Sequence, residues 1–218
     1  MGPLDRRMML LAAATAGLLS PAAASAASRP QRPLQYDITP DPFADQIVLG
    51  DPAASVTVYG YISPACPQCA RWYLEVFPSV EAELISTGHI RWAVREFATA
   101  MLETCYRTFV LARHVAPEAY FPLILAVLAD EEAMYRSGQV QPALRRIVAR
   151  FGINAAGYDA CMNDWTSIAN VIRRSDAAVH MAGIEATPTF VIGDVTLLGG
   201  SSTTFEMISE AIAKARGG

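Results

Sequence analysis

The chain has 218 residues, 52% of them hydrophobic, and a formal charge of −4. That length suits one sizeable domain, or a core domain carrying an insertion, and the apolar share excludes a disordered chain. The acidic balance, with Lys214 the only lysine, excludes the basic patch that nucleic-acid binding usually needs.

Residues 1–26 read as a signal peptide. Arg6 and Arg7 precede an apolar run, Met8–Leu19; Pro21 breaks it, and Ala24-Ser25-Ala26 supplies small residues for cleavage. The run is too short to span a membrane, which takes about 20 residues. The adjacent arginines are also similar to a twin-arginine signal, although Asp5 stands where that motif prefers Ser or Thr. Export to the periplasm would leave Cys66, Cys69, Cys105 and Cys161 in an oxidising compartment. An even number of cysteines there favours disulfides over thiolate–metal sites.

Residues 27–46, with prolines at 30, 33, 40 and 42, read as an N-terminal tether. The folded region opens on Ile47-Val48-Leu49 and the turn Gly50-Asp51-Pro52. SVTVYGYI, residues 55–62, is β-branched and aromatic and predicts a buried strand. From Cys69 the spacing is helical, with a kink expected near Pro78 and a stop at Gly88. HIRWAVREF, residues 89–97, returns to strand character. The stretch 98–182 reads as helical throughout, with segments near 100–115, 118–129, 140–151 and 155–182. Thr189–Ile192 and Val195–Leu198, joined by Gly193-Asp194, read as a hairpin, and Thr204–Arg216 as a last amphipathic helix. The order βαβ, helical block, ββα implies an α/β fold: one sheet, from 47–97 and 183–218, closed around a helical subdomain at 98–182.

The chemistry sits in Cys66-Pro67-Gln68-Cys69, directly after the first long strand. A cysteine at a helix N-terminus faces unpaired N–H groups and the positive end of the dipole. Both favour a thiolate and lower its pKa from about 8.5 toward roughly 3.5–7. Cys66 is then the nucleophile and Cys69, one turn on and more buried, the resolving partner. Two other readings of such a pair exist. A zinc site needs a second close pair, and His89, His114 and His180 are scattered. A permanent structural bridge across so small a ring would constrain little unfolded-state entropy. Tyr59, Tyr61, Trp72 and Tyr73 read as core, while Pro64 and Ala65, preceding Cys66 in the loop, read as exposed.

Far downstream, Ala186-Thr187-Pro188-Thr189-Phe190 places a proline just before a strand, where it removes a ladder donor and needs a special reason. With LGDP at 49–52, VTVYGYISPACPQC at 56–69, REF at 95–97 and GIEATPTFVI at 183–192, the chain resembles the exported DsbA-like thiol–disulfide oxidoreductases of the thioredoxin superfamily, over roughly 47–216. The resemblance implies a thioredoxin fold with a helical insertion. It also implies a cis Thr187–Pro188 bond beside Cys66 and Cys69, with Thr187 pairing through its backbone to an extended substrate segment. Pro67, Gln68, Thr187 and Pro188 are thus expected to modulate the site.

The activity implied is that of a protein dithiol oxidase. It would pass the Cys66–Cys69 disulfide to folding exported proteins with free cysteines, and a quinone-linked membrane partner would re-oxidise it. No cofactor or metal is implied. The alternatives are a disulfide isomerase or reductase, and a chaperone-like binder of exported proteins. Two departures bear on this. Gln68 stands where the family often has His, and Gly60 stands where it often has a buried acid. The first predicts a less oxidising disulfide, the second a slower resolving step. Some DsbA-like proteins carry a second disulfide in the inserted helices, and the positions of Cys105 and Cys161 resemble it. A structural bridge there would contribute about 4 kcal/mol. Two buried thiols or a second redox couple are the other readings.

Overall fold

The computed structural model describes residues 45–200 and 202–217. The expected signal peptide and all but the end of the tether lie outside them. Five strands form one mixed sheet: β1 (Ile47–Gly50), β2 (Thr57–Ile62), β3 (Arg91–Glu96), β4 (Thr189–Ile192) and β5 (Val195–Leu198). Their order is β1-β3-β2-β4-β5, so β2 is central. β2 runs parallel to β3 and antiparallel to β4. Parallel neighbours need a crossover, and here it is the helical stretch that begins with the cysteine pair. It divides into α1 (Pro67–Glu75), α2 (Phe77–Val80) and a π-helical turn, Glu81–Ile85. The expected kink falls at Val76, because Pro78 has no N–H to continue the ladder.

Between β3 and β4 the chain is helical: α3 (Leu102–His114), α4 (Pro117–Ala129), α5 (Glu131–Ser137), α6 (Val140–Ala149), α7 (Ala155–Met162) and α8 (Trp165–Ala182). Two details differ from the sequence reading. The segment read as one helix over 155–182 is two, because Asp164 caps α8 by accepting from the Ser167 N–H at 3.0 Å. The sequence reading also places no element between 130 and 139, where α5 forms. The last helix, α9, runs Phe205–Gly217. Among the described residues no helix is long and apolar enough to cross a membrane.

An aromatic stack joins sheet and helices. The Trp72 ring on α1 lies 4.2 Å from Phe190 on β4 and 5.8 Å, nearly parallel, from Trp92 on β3. Tyr73, Phe77 and Phe121 pack edge-on or tilted around them. Aromatic pairs of this kind add about 0.5–1.5 kcal/mol beyond the area they bury. The Trp72 Nε1–H donates to the Thr203 carbonyl at 2.7 Å, which ties α1 to the segment leading into α9. Burying these rings fixes the start of α1 against the end of β2, and so places Cys66.

Candidate active site

The central strand carries the site. At its end Ser63 turns the chain, and Cys66 becomes the N-cap of α1 with an extended backbone, φ −109° and ψ 112°. Its sulfur accepts from the Cys69 N–H at 3.4 Å, the usual task of a capping oxygen. Pro67 occupies the first helical position, where a missing N–H costs nothing. Cys69 is fully buried, and its sulfur accepts from the Ser63 N–H at 3.4 Å. Pro67 and Gln68 are exposed.

Antiparallel pairing sets Thr189, the first residue of β4, opposite Tyr61 near the end of β2. The segment just before β4 therefore lies beside the cysteines. Its Thr187–Pro188 bond is cis, and the Cys66 sulfur is 3.2 Å from the Thr187 carbonyl oxygen. Behind this segment stands Gly199, a residue the sequence reading missed. A Cβ there would fall 1.1 Å from the Pro188 carbonyl oxygen. The signal was visible as the Gly199-Gly200 pair after the hairpin.

The two thiols are driven apart. Cys66 is lowered to about 6, first by the hydrogen bond from the Cys69 thiol. Burial opposes this, while the Thr187 side chain and the backbone N–H groups of Cys69 and Gln68 reinforce it. The Thr187 hydroxyl is itself buried without a hydrogen-bond partner. Cys69 moves well above its ordinary value, mainly by burial and then by its pairing with Cys66. The Gln68 main chain contributes through its N–H. In the reduced protein, thiolate absorbance is expected to rise with a midpoint near pH 6. The step should vanish in Cys66→Ser and persist in Cys69→Ser.

Gly60 has a structural cause. A Cβ at position 60 would lie 2.6–2.8 Å from the Trp92 indole, so the ring fills the space a side chain would take. Glu96 offers no substitute acid. Its carboxylate is buried and bonded to Arg113, Arg174 and the Tyr120 hydroxyl. Asp45 bridges the same two guanidiniums at 2.9 and 3.3 Å. Burial works against the charged form of Glu96, but the two arginines outweigh it and hold the group down to about 2.

Other expectations are corrected. Pro64 and Ala65 are buried rather than exposed, because Ala65 packs with Ala98 and Cys105 against the start of α3. Tyr61, Trp72 and Tyr73 lie in the core, and Tyr59 is half-buried with the Arg95 guanidinium over its ring. The bridge expected between Cys105 and Cys161 is not formed: both are free, buried thiols. The Cys105 sulfur is turned toward the Ser63 hydroxyl, at 3.5 Å, and the Ala100 carbonyl, at 3.2 Å. Burial raises both thiols, Cys161 to about 12. Among the described residues no three His, Cys, Asp or Glu side chains gather as metal ligands.

A Cys-x-x-Cys pair capping the helix after a central strand, on this sheet order, defines the class as thioredoxin-fold proteins. The family model described as thioredoxin matches residues 44–214, and the chain belongs to that family. Among curated proteins it is 26% identical over 172 residues to a provisionally named protein-disulfide oxidoreductase of Rickettsia conorii. The match covers 78% of this chain and 60% of that one, so the chain spans about three fifths of this relative's length. Among solved structures it is similar to Wolbachia pipientis alpha-DsbA1, with a TM-score of 0.72, 24% identity, and coverage of 80% of this chain and 92% of that one. Chlamydia trachomatis DsbA follows at 0.68 and 22%, covering 84% and 96%.

Proposed function

We propose that the chain is an exported protein thiol–disulfide oxidoreductase acting as a dithiol oxidase. The observation that carries this reading is the separation of the two thiols, with Cys66 lowered to about 6 and Cys69 raised and sealed from solvent. A stabilised Cys66 thiolate stabilises the reduced form, and a protein stable when reduced is a good oxidant. A substrate thiolate attacks the Cys66 sulfur of the disulfide, and Cys69 leaves and takes up a proton. A second substrate thiolate then attacks the mixed disulfide. It releases the oxidised substrate and the Cys66 thiolate, the better leaving group of the two. The Thr187 main chain, beside the Cys66 sulfur, is placed to pair with an extended substrate segment of any sequence.

The substrates are folding exported proteins with free cysteines. A quinone-linked membrane protein, suggested by family resemblance alone, returns the pair to the disulfide. The provisional oxidoreductase names of the Rickettsia relatives and the DsbA-like fold support thiol–disulfide exchange. The direction is tested by equilibrating the 66–69 disulfide against glutathione. A potential well above roughly −200 mV is expected, and one near −270 mV, that of a reductant, overturns the oxidase reading. Cys66→Ala should abolish dithiol oxidation; a variant that still protects exported proteins at full strength would identify a binder instead.

A further inference from the structure

Two loops leave the sheet side by side. β2 and β3 run parallel, Ile62 lies opposite Glu96, and the Phe97 N–H donates to the Ile62 carbonyl at 3.0 Å. Ser63 therefore opens the redox loop next to residues 98–101, which lead into α3. Ser63 is fully buried, with main chain and side chain both engaged. Its N–H donates to the Cys69 sulfur at 3.4 Å, and its carbonyl accepts from the Cys66 N–H at 3.3 Å. Its hydroxyl shares a hydrogen bond of 3.0 Å with the Thr99 hydroxyl and accepts from the Ala65 N–H at 3.4 Å. The Cys105 sulfur lies 3.5 Å from the same oxygen. Thr99 is tied down on both sides. The Ala98 N–H donates to the Ser175 hydroxyl of α8 at 3.0 Å, and the Ala100 carbonyl accepts from the Cys105 thiol at 3.2 Å. One residue thus touches the buried sulfur of the redox pair and is anchored, through its side chain, to the helical block.

We propose that Ser63 is a catalytic residue for the step that opens the 66–69 disulfide: its main-chain N–H stabilises the departing Cys69 thiolate, and Thr99 positions that N–H by holding the Ser63 hydroxyl. In this step a substrate thiolate bonds to the Cys66 sulfur. The 66–69 bond breaks, and its electron pair goes to the Cys69 sulfur. Cys69 is therefore an anion at the moment it leaves, in a fully buried place, and its proton comes afterwards from solvent. A buried anion without a donor is costly. A donor already aimed at the atom where charge develops lowers that cost without reorganising, the more so where water is excluded. The Ser63 N–H holds this place, and its direction is fixed by the rest of the residue: the carbonyl by the turn to Cys66, the hydroxyl by Thr99. The same contact acts against the burial that raises the Cys69 thiol. When the mixed disulfide is later resolved, Cys66 leaves instead, and the Ser63 N–H, bonded to the other sulfur, has no part in that step.

This inference rests on Cys66 being the sulfur attacked, and the test separates the two. Reduced glutathione is reacted with the 66–69 disulfide of the full chain, and the rate of opening is measured. Ser63→Ala and Thr99→Val should each slow it by about tenfold, the kinetic equivalent of weakening one hydrogen bond to a charged atom. Thr99→Ser, which keeps the hydroxyl, should restore the parent rate. Thr108→Val removes another hydroxyl of α3, one buried without a partner, and should change nothing. The decisive comparison is the second step. In a Cys69→Ser background carrying glutathione on Cys66, release of Cys66 by a second thiol should proceed equally fast with and without Thr99→Val. Opening at the parent rate in Thr99→Val, or equal slowing of both steps, overturns the proposal and leaves Cys66 as nucleophile. Glutathione trapped on Cys69 in place of Cys66 would instead overturn the Cys66 assignment, and this inference with it. Should Ser63→Ala fail to fold, Thr99→Val at its partly exposed position carries the test.

Discussion

Glu96→Gln is expected to destabilise the protein by about 3–5 kcal/mol, the cost of leaving buried partners of an ion pair uncompensated. Glu96 ends β3, beside Ile62 at the end of β2. It joins Arg113 of α3, Arg174 of α8 and Tyr120 of α4 in one network. Losing the charge leaves two largely buried guanidiniums with only the exposed Asp45 between them. Urea unfolding at neutral pH measures the loss. The pH dependence gives an independent check. The folded-state pKa, about 2, lies below the ordinary value of 4.5. The stabilisation is therefore complete above the unfolded value and drains away as pH falls from about 4.5 toward 2. The parent should lose stability steeply across that window, and Glu96→Gln should lack this component. Equal acid sensitivity in both would place the cluster outside the stability of the fold.

Gly199→Ala is expected to slow thiol–disulfide exchange by about a hundredfold, the scale of a misplacement near 1 Å at a reacting centre. The Cβ it adds would overlap the Pro188 carbonyl, with backbone on both sides of the contact. The Thr187–Pro188 segment must then move away from its place 3.2 Å from the Cys66 sulfur. Overpacking of this kind also costs about 1–3 kcal/mol of stability. Two readouts separate site damage from general destabilisation. The Cys66 thiolate midpoint should rise from near 6 as the Thr187 contribution is lost. Gly217→Ala, where a Cβ meets open space, should leave rate and midpoint unchanged. A normal exchange rate in folded Gly199→Ala would remove Gly199 from the support of the site.

Much of the site was legible because its parts are local. A strand ending in Ser63, a proline at the first helical position and cysteines one turn apart are consecutive choices. The backbone N–H groups of Gln68 and Cys69 at the helix terminus supply the local part of their chemistry. Thr187-Pro188 was legible for another reason, since a proline ahead of a strand is costly unless the fold uses it. The failures also have physical causes. Pro64 and Ala65 read as exposed because they lie in a loop, but α3 and Tyr135 arrive from beyond residue 100 to cover that loop. The α7–α8 break was carried by Asp164, whose capping role depends on a helix starting there. α5 was too short, and too polar at its start, to register as a periodic segment.

The sequence by itself determined the strand–helix–strand unit and the place of the Cys66–Cys69 pair at the start of its helix. Backbone geometry and helix-end electrostatics act over a few residues, so these features needed no distant partner. Only the tertiary structure decided what surrounds the pair. Antiparallel pairing of β4 with β2 carries Thr187 to the Cys66 sulfur across 121 positions of sequence. Trp92 occupies the volume beside Gly60, Gly199 lets the Pro188 carbonyl approach, and Tyr135 of α5 packs against Ala65 in the redox loop. Packing places these groups, and packing is set by which distant surfaces exclude water together, a property no local stretch contains.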